Sequence, residues 1–178
     1  MRKILFCFFC GAVLLACNNA KVESTTSSSA DSTAKAPADL PYTASYSSSW
    51  STDVSDADLK MVLTTYKDWS DGNMTGLESA LADTVSVDFS DGNHVKQPKA
   101  DIIKRWSTSR DSLSSVKIDM QGWHKMYSTD KKEGYIVTWY DETDTYKNGK
   151  VDSATYHDIN QVKDGKLVWY SQYKRPKK

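Results

Sequence analysis

From Ser55 onward the apolar positions follow a helical spacing. Leu59, Val62, Leu63, Tyr66 and Trp69 recur at three- and four-residue intervals, the signature of an amphipathic helix with one buried face. Ser55, with Asp58 three residues on, forms a capping-box-like start, and Gly72 supplies a stop. A second short helix over about 74–82 carries Leu77 and Leu81. Val85, Val87 and Phe89 then alternate with Ser86 and Asp88, which predicts a strand. Asp91-Gly92 turns the chain, and Pro98 suits the first position of a third helix bearing Ile102, Ile103 and Trp106. Beyond Ser114 the period changes to two, with strands expected over about 115–127, 134–146, 151–162 and 166–174. Three helices followed by a strand meander predict an α+β domain, the helices laid on one face of a curved antiparallel sheet.

Asn148-Gly149 and Asp164-Gly165 are signals for two-residue hairpin turns. Taken so, they fix the register and place Trp139 and Ser171 on either side of Asp158. Side chains alternate between faces. One face then holds Tyr135, Val137, Trp139 and Asp141; Tyr156, Asp158, Asn160 and Val162; and Leu167, Trp169, Ser171 and Tyr173. Being richer in large rings, it is expected to face the helices and, with Trp69, to line a hydrophobic pocket. The other face, with Tyr140, Ile159, Val168 and Tyr170, becomes the outer surface and offers an apolar patch to an interaction partner. A carboxylate at the centre of an apolar face is costly unless hydrogen-bonded, so the pKa of Asp158 should rise. A bulge in either hairpin inverts the facing.

The N-terminal pattern is of another kind. Arg2 and Lys3 precede an apolar run, Ile4 to Ala16, of secretory h-region length. Leu14-Leu15-Ala16-Cys17 resembles a bacterial lipobox. That resemblance implies a signal peptide over 1–16, cleavage before Cys17, and acylation of Cys17 by fatty chains such as palmitate. The expected location is the cell envelope. Asn18 after the cysteine fits sorting to the outer membrane of a Gram-negative bacterium. Residues 17–52 form the expected tether: 15 of the 29 residues from Ser24 to Thr52 are Ser or Thr, too polar to offset their ordering entropy. Tyr42, Tyr46 and Trp50 near its end could already pack on the domain, which is placed at 53–178.

The other cysteines, Cys7 and Cys10, lie within the signal, leaving no thiol for a disulfide or a nucleophile in the domain. Lys+Arg and Asp+Glu are both 23, a balance that argues against a nucleic-acid partner. His94, His124 and His157 show no metal-ligand spacing. No metal and no cofactor is expected.

The run Tyr66-Lys-Asp-Trp69-Ser-Asp-Gly72-Asn, then Leu77 through Asp88, and the later His157-Asp158-Ile-Asn-Gln-Val162-Lys-Asp164-Gly165-Lys166-Leu167 resemble the opening and closing segments of SnoaL-like domains. These belong to the nuclear transport factor two-like superfamily. The resemblance implies a conical α+β fold enclosing a pocket, often dimeric through the outer sheet face. It also implies for Asp158 the place of a pocket acid in the superfamily's isomerases and of the acid/base Asp in its cyclases. The isomerase's catalytic Tyr and base Asp fall near Thr65 and Phe89; Tyr66 and Asp88 each stand one residue away. Three readings follow: a lipid-anchored module that binds a small hydrophobic ligand, an envelope accessory module that meets a partner through the outer sheet face, and an acid/base enzyme with Asp158 as proton shuttle. The incomplete catalytic set leans toward the non-enzymatic readings.

Overall fold

The computed structural model describes residues 39–177. The expected signal peptide, Cys17 and most of the tether lie outside them. The compact unit begins at Pro41, and hydrogen bonds tie the segment around Tyr46 and Ser47 to it. Ser47 donates to Asp130 at 2.6 Å, and the Tyr46 hydroxyl bonds the Glu133 carboxylate and, at 2.6 Å, the Tyr135 hydroxyl. Trp50–Ser51 forms a short strand, β1.

Helix α1 spans Asp56–Asp71, its first turn capped by the Ser55 oxygen accepting from the Asp58 N–H at 3.0 Å. It ends at Gly72 in a left-handed conformation, φ 74°. Helix α2 covers Met74–Ala80 and passes directly into β2, Leu81–Asp88. Leu81 therefore starts a strand, opposite Leu167, rather than ending a helix. The Asp91-Gly92 turn leads into β3, His94–Pro98, which pattern reading missed. With Val95 as its one large aliphatic residue, and with Lys96 and Pro98, it has the composition of a protected edge strand. Helix α3, Lys99–Asp111, begins one residue after Pro98. The four long strands are β4, Leu113–Ser128; β5, Glu133–Tyr146; β6, Val151–Lys163; and β7, Lys166–Pro176.

All seven strands form one sheet in the order β1-β4-β5-β6-β7-β2-β3. It is mixed, not purely antiparallel: β2 runs parallel to β7, a pairing that the long connection between them permits and a hairpin would not. The three helices pack on this sheet in a cone-shaped α+β domain. Its core has two halves. One gathers Val62, Tyr66, Ile136, Tyr140, Tyr156 and Val162; the other gathers Leu81, Val85, Val87, Ile102 and Leu167.

Two local events set which side chains face the helices. At the β5–β6 hairpin the Tyr146 N–H bonds Lys150 O, the Gly149 N–H bonds Tyr146 O, and Gly149 takes φ 85°. This is a three-residue loop ending in a left-handed glycine, not a two-residue turn, and it puts Thr138 rather than Trp139 opposite Asp158. The β6–β7 turn does have two residues, with Asp164 and Gly165 both at positive φ. A bulge beyond it, between Gln161 and Val162 in register, sets Gln172 rather than Ser171 opposite Asp158. Each event inverts one strand relative to β6. Ile136, Thr138, Tyr140 and Glu142, with Tyr170 and Gln172, thus share the helix-facing side with Tyr156, Asp158 and Asn160.

Candidate functional site

Between the two halves of the core lies an open cavity of about 260 Å³. Helix α1 contributes Thr65, Tyr66 and Trp69; α3 contributes Trp106; the sheet contributes Tyr140, Glu142, Asp144, Tyr156, Asn160, Tyr170 and Gln172. Leu77, Leu81 and Leu167 close its apolar side. The rings are fixed by one another. Tyr66 meets Tyr140 edge-on at 5.0 Å between centroids, and Tyr140 stacks on Tyr156 at 5.3 Å, contacts worth about 0.5–1.5 kcal/mol each. Trp69 is held from behind. Arg110 donates from Nε to the Trp69 carbonyl and from Nη2 to the Ser70 carbonyl, both at 3.0 Å, satisfying groups that the end of α1 leaves open.

Beneath the wall sits Asp158, 0% exposed. Its Oδ2 accepts from the hydroxyls of Tyr140 at 2.8 Å and of Tyr66 and Tyr170 at 3.0 Å. A phenol has one proton, and those of Tyr66 and Tyr170 are assigned by their other partners. Asn160 donates to the Tyr66 oxygen at 3.1 Å, and the Thr138 hydroxyl lies 2.6 Å from it. Gln172 donates to Tyr170 at 2.7 Å. Asp158 Oδ1 has no partner. Burial pushes the Asp158 carboxyl up to about 7 against the lowering effect of the three tyrosine bonds. Burial likewise raises all three tyrosines well above 10, with Asp158 adding to it, so they remain donors at any physiological pH.

Of the residues picked from sequence, Trp69, Tyr156 and Asn160 line the cavity, and Asp158 lies directly behind three of its tyrosines. The expected pocket placement of Trp139, Asp141, Trp169, Ser171 and Tyr173 is corrected by the two register events. All five are on the opposite face of the sheet. Trp139 covers Gly122, where a Cβ would come within 3.1 Å of the indole, and lies across from His157. Asp141 binds Lys177 at 2.5 Å and Thr155 at 2.8 Å. Trp169 donates to Asp88 at 2.7 Å. Ser171 is buried beside Asp88 in the β2–β7 ladder, and Tyr173 is 60% exposed. Conversely Tyr140 and Tyr170, expected outside, are inside.

Sequence reasoning missed Tyr140, Glu142, Thr138 and Tyr170 for the same reason. Asn148-Gly149 fits a three-residue loop as well as a two-residue one, and the unbroken run Leu167-Val168-Trp169-Tyr170 has no alternation to betray a bulge. At the positions selected by the family resemblance, Thr65 turns its hydroxyl back onto Val62 O at 2.7 Å, and the neighbouring Tyr66 reaches Asp158. Phe89 lines the cavity, while Asp88 faces away to His94 and Trp169. Among the described residues no cluster of His, Cys, Asp and Glu could hold a metal ion.

No protein-family model and no curated protein matches the sequence. Solved structures do share the fold. An LEH-like epoxide hydrolase from M. tuberculosis superposes with a TM-score of 0.57 at 8% identity, over 67% of this chain and 83% of that one. A polyketide cyclase-like protein from Xanthomonas campestris gives 0.53 at 16% identity, over 66% and 89%. An NTF2-like protein of unknown function from Exiguobacterium sp. 255-15 gives 0.53 at 18%, over 64% and 97%. The fold is therefore NTF2-like. At these identities the likeness defines the architecture and leaves the chemistry to the site itself.

Proposed function

We propose that the domain binds a small ring-bearing ligand in the cavity under α1–α3, and that Cys17 tethers it to a membrane of the cell envelope. One observation carries the ligand-binding half: the core is split by an open, aromatic-walled cavity instead of being filled by its rings. Packed interiors rarely leave such space, and a concave apolar site with a few converging polar groups is the usual form of a ligand pocket. The NTF2-like neighbours, an epoxide hydrolase and a polyketide cyclase-like protein among them, are consistent with a scaffold that holds small molecules. The tether rests on the Leu14-Leu15-Ala16-Cys17 motif and the Ser/Thr-rich stretch after it.

The test is the dissociation constant of a neutral bicyclic probe, 2-naphthol, by tryptophan fluorescence. Leu81→Phe, which fills the cavity, should weaken binding at least about tenfold, while the outer-face change Trp139→Ala should leave it unaltered. Equal loss in both variants, or none in Leu81→Phe, overturns the reading.

The acid/base reading is favoured by a separate observation, the Asp158 carboxyl poised near 7. Asp158 is not itself part of the cavity wall, so its proton would have to reach a ligand through the hydroxyl of Tyr66, Tyr140 or Tyr170. Any turnover of a bound ketone or epoxide should then fall by at least about a hundredfold in Asp158→Asn; turnover that survives excludes the relay.

A further inference from the structure

The cavity has a one-sided charge that ring binding alone does not use. Two carboxyls, Glu142 and Asp144, are on its wall, and no Lys, Arg or His is. Glu142 is 8% exposed. Asp144 is half-buried, and its Oδ1 is a buried acceptor with no hydrogen-bond partner. The nearest cations are committed elsewhere. Arg110 spends its guanidinium on the Trp69, Ser70 and Leu113 carbonyls. Lys174 binds Asp152 at 3.1 Å and lies 5.7 Å from the centre of the Tyr156 ring. Much of the remaining wall is aromatic, with Trp69, Tyr140 and Tyr156 among its rings, and ring faces attract cations most strongly where water is excluded.

We propose that the ligand is an organic cation: a substituted ammonium on a small apolar group, its charge held by Glu142 and Asp144 and its body against Trp69, Tyr140 and Tyr156. This rests on the cavity being the ligand site. Two neighbouring carboxyls on a wall that keeps water away lose solvation and repel each other when ionised, and a cation seated between them relieves both costs by charge alone.

The same arrangement fixes the proton balance. Burial, with Asp144 from its own strand and Asp158 from β6, pushes Glu142 up to about 8; the Trp69 indole of α1 and Lys174 of β7 act the other way. Tyr140, Tyr156 and Tyr170, which also face it, stay neutral. Glu142 is therefore largely protonated at neutral pH. An arriving cation favours its ionised form, so binding releases a proton and tightens as pH rises toward 8.

The experiment titrates the full chain, in non-ionic detergent against matched empty micelles, with phenyltrimethylammonium and with tert-butylbenzene. The two share shape and differ in charge, and neither titrates. At pH 8 the ammonium should bind at least about tenfold tighter than its isostere, and its affinity should fall several-fold by pH 6 while the isostere's does not. Glu142→Gln should abolish the preference and spare isostere binding. Equal affinities, or tighter binding of tert-butylbenzene, overturn the cation proposal and leave the cavity reading standing. Binding of neither probe overturns both.

Discussion

Replacing Asp158 by Asn separates the charge of this buried acid from its shape. The folded-state value, about 7, lies above the ordinary value of 3.8, so between those limits the native state holds a proton that the unfolded chain has released. Stability from this group is complete below about pH 4 and is lost as pH climbs through 7. Between pH 5 and pH 8 the loss integrates to about 2.5 kcal/mol, from roughly 1.4 kcal/mol per pH unit over which only the native state is protonated. Asn keeps an oxygen for the tyrosine donors and cannot ionise. At pH 5 it should cost about 1–2 kcal/mol, because its amide nitrogen takes the place of the unpartnered Oδ1. At pH 8 the variant should equal or exceed the wild type. The stability difference should therefore shift by about 2.5 kcal/mol, or roughly 9 °C in Tm for a domain of this size. Glu142 titrates in the same direction in both proteins and largely cancels from the difference. Paired thermal melts from pH 5 to pH 8 check it. A difference that does not change with pH would refute the assignment of a protonated, buried Asp158.

Tyr66→Phe removes one of the three donors to Asp158 and leaves Thr138 without its partner. It should cost about 1–3 kcal/mol in urea unfolding, and because a bond that lowers the acid's pKa is lost, the alkaline decline should start at the same pH and continue above the wild-type's upper limit of about 7. Gly149→Ala forces a Cβ onto φ 85° and should cost about 1 kcal/mol, read as a lower Tm with an unchanged β5–β6 register by amide NMR. Cys17→Ser should leave the Tm of the domain unchanged and abolish fatty-acid labelling and detergent-phase partitioning, since a single chain binds membranes weakly and several bind firmly; retained label would refute the lipobox.

The elements of this domain were legible wherever one period ran unbroken. The Ser55 cap, the apolar face ending at Trp69, and the four long strands needed only local information. Asp158 was legible too, because its strand, β6, was the reference for the count. Its neighbours were not. A three-residue loop at Lys147-Asn148-Gly149 and one bulge at β7 each move a strand by a single residue, and one residue is the difference between cavity wall and outer surface. Trp139 and Tyr140, or Trp169 and Tyr170, are equally suited to either side, so hydrophobicity could not arbitrate. The three-residue loop and the bulge settle it, and the facing they set brings the hydroxyls of Tyr66, Tyr140 and Tyr170 onto Asp158. β1 and β3 escaped notice because a two-residue strand and a five-residue edge strand carry too few apolar positions to show a period.

The central claim is that a ligand enters between the two halves of the core rather than docking on the outer sheet face. Intermolecular NOEs from bound 2-naphthol to assigned methyl groups test it most directly. The account predicts contacts to Leu77, Leu81 and Leu167, which border the cavity, and none to Val137 or Ile159, which pair across β5 and β6 on the opposite face. Contacts to Val137 and Ile159 without contacts to the three leucines would contradict it.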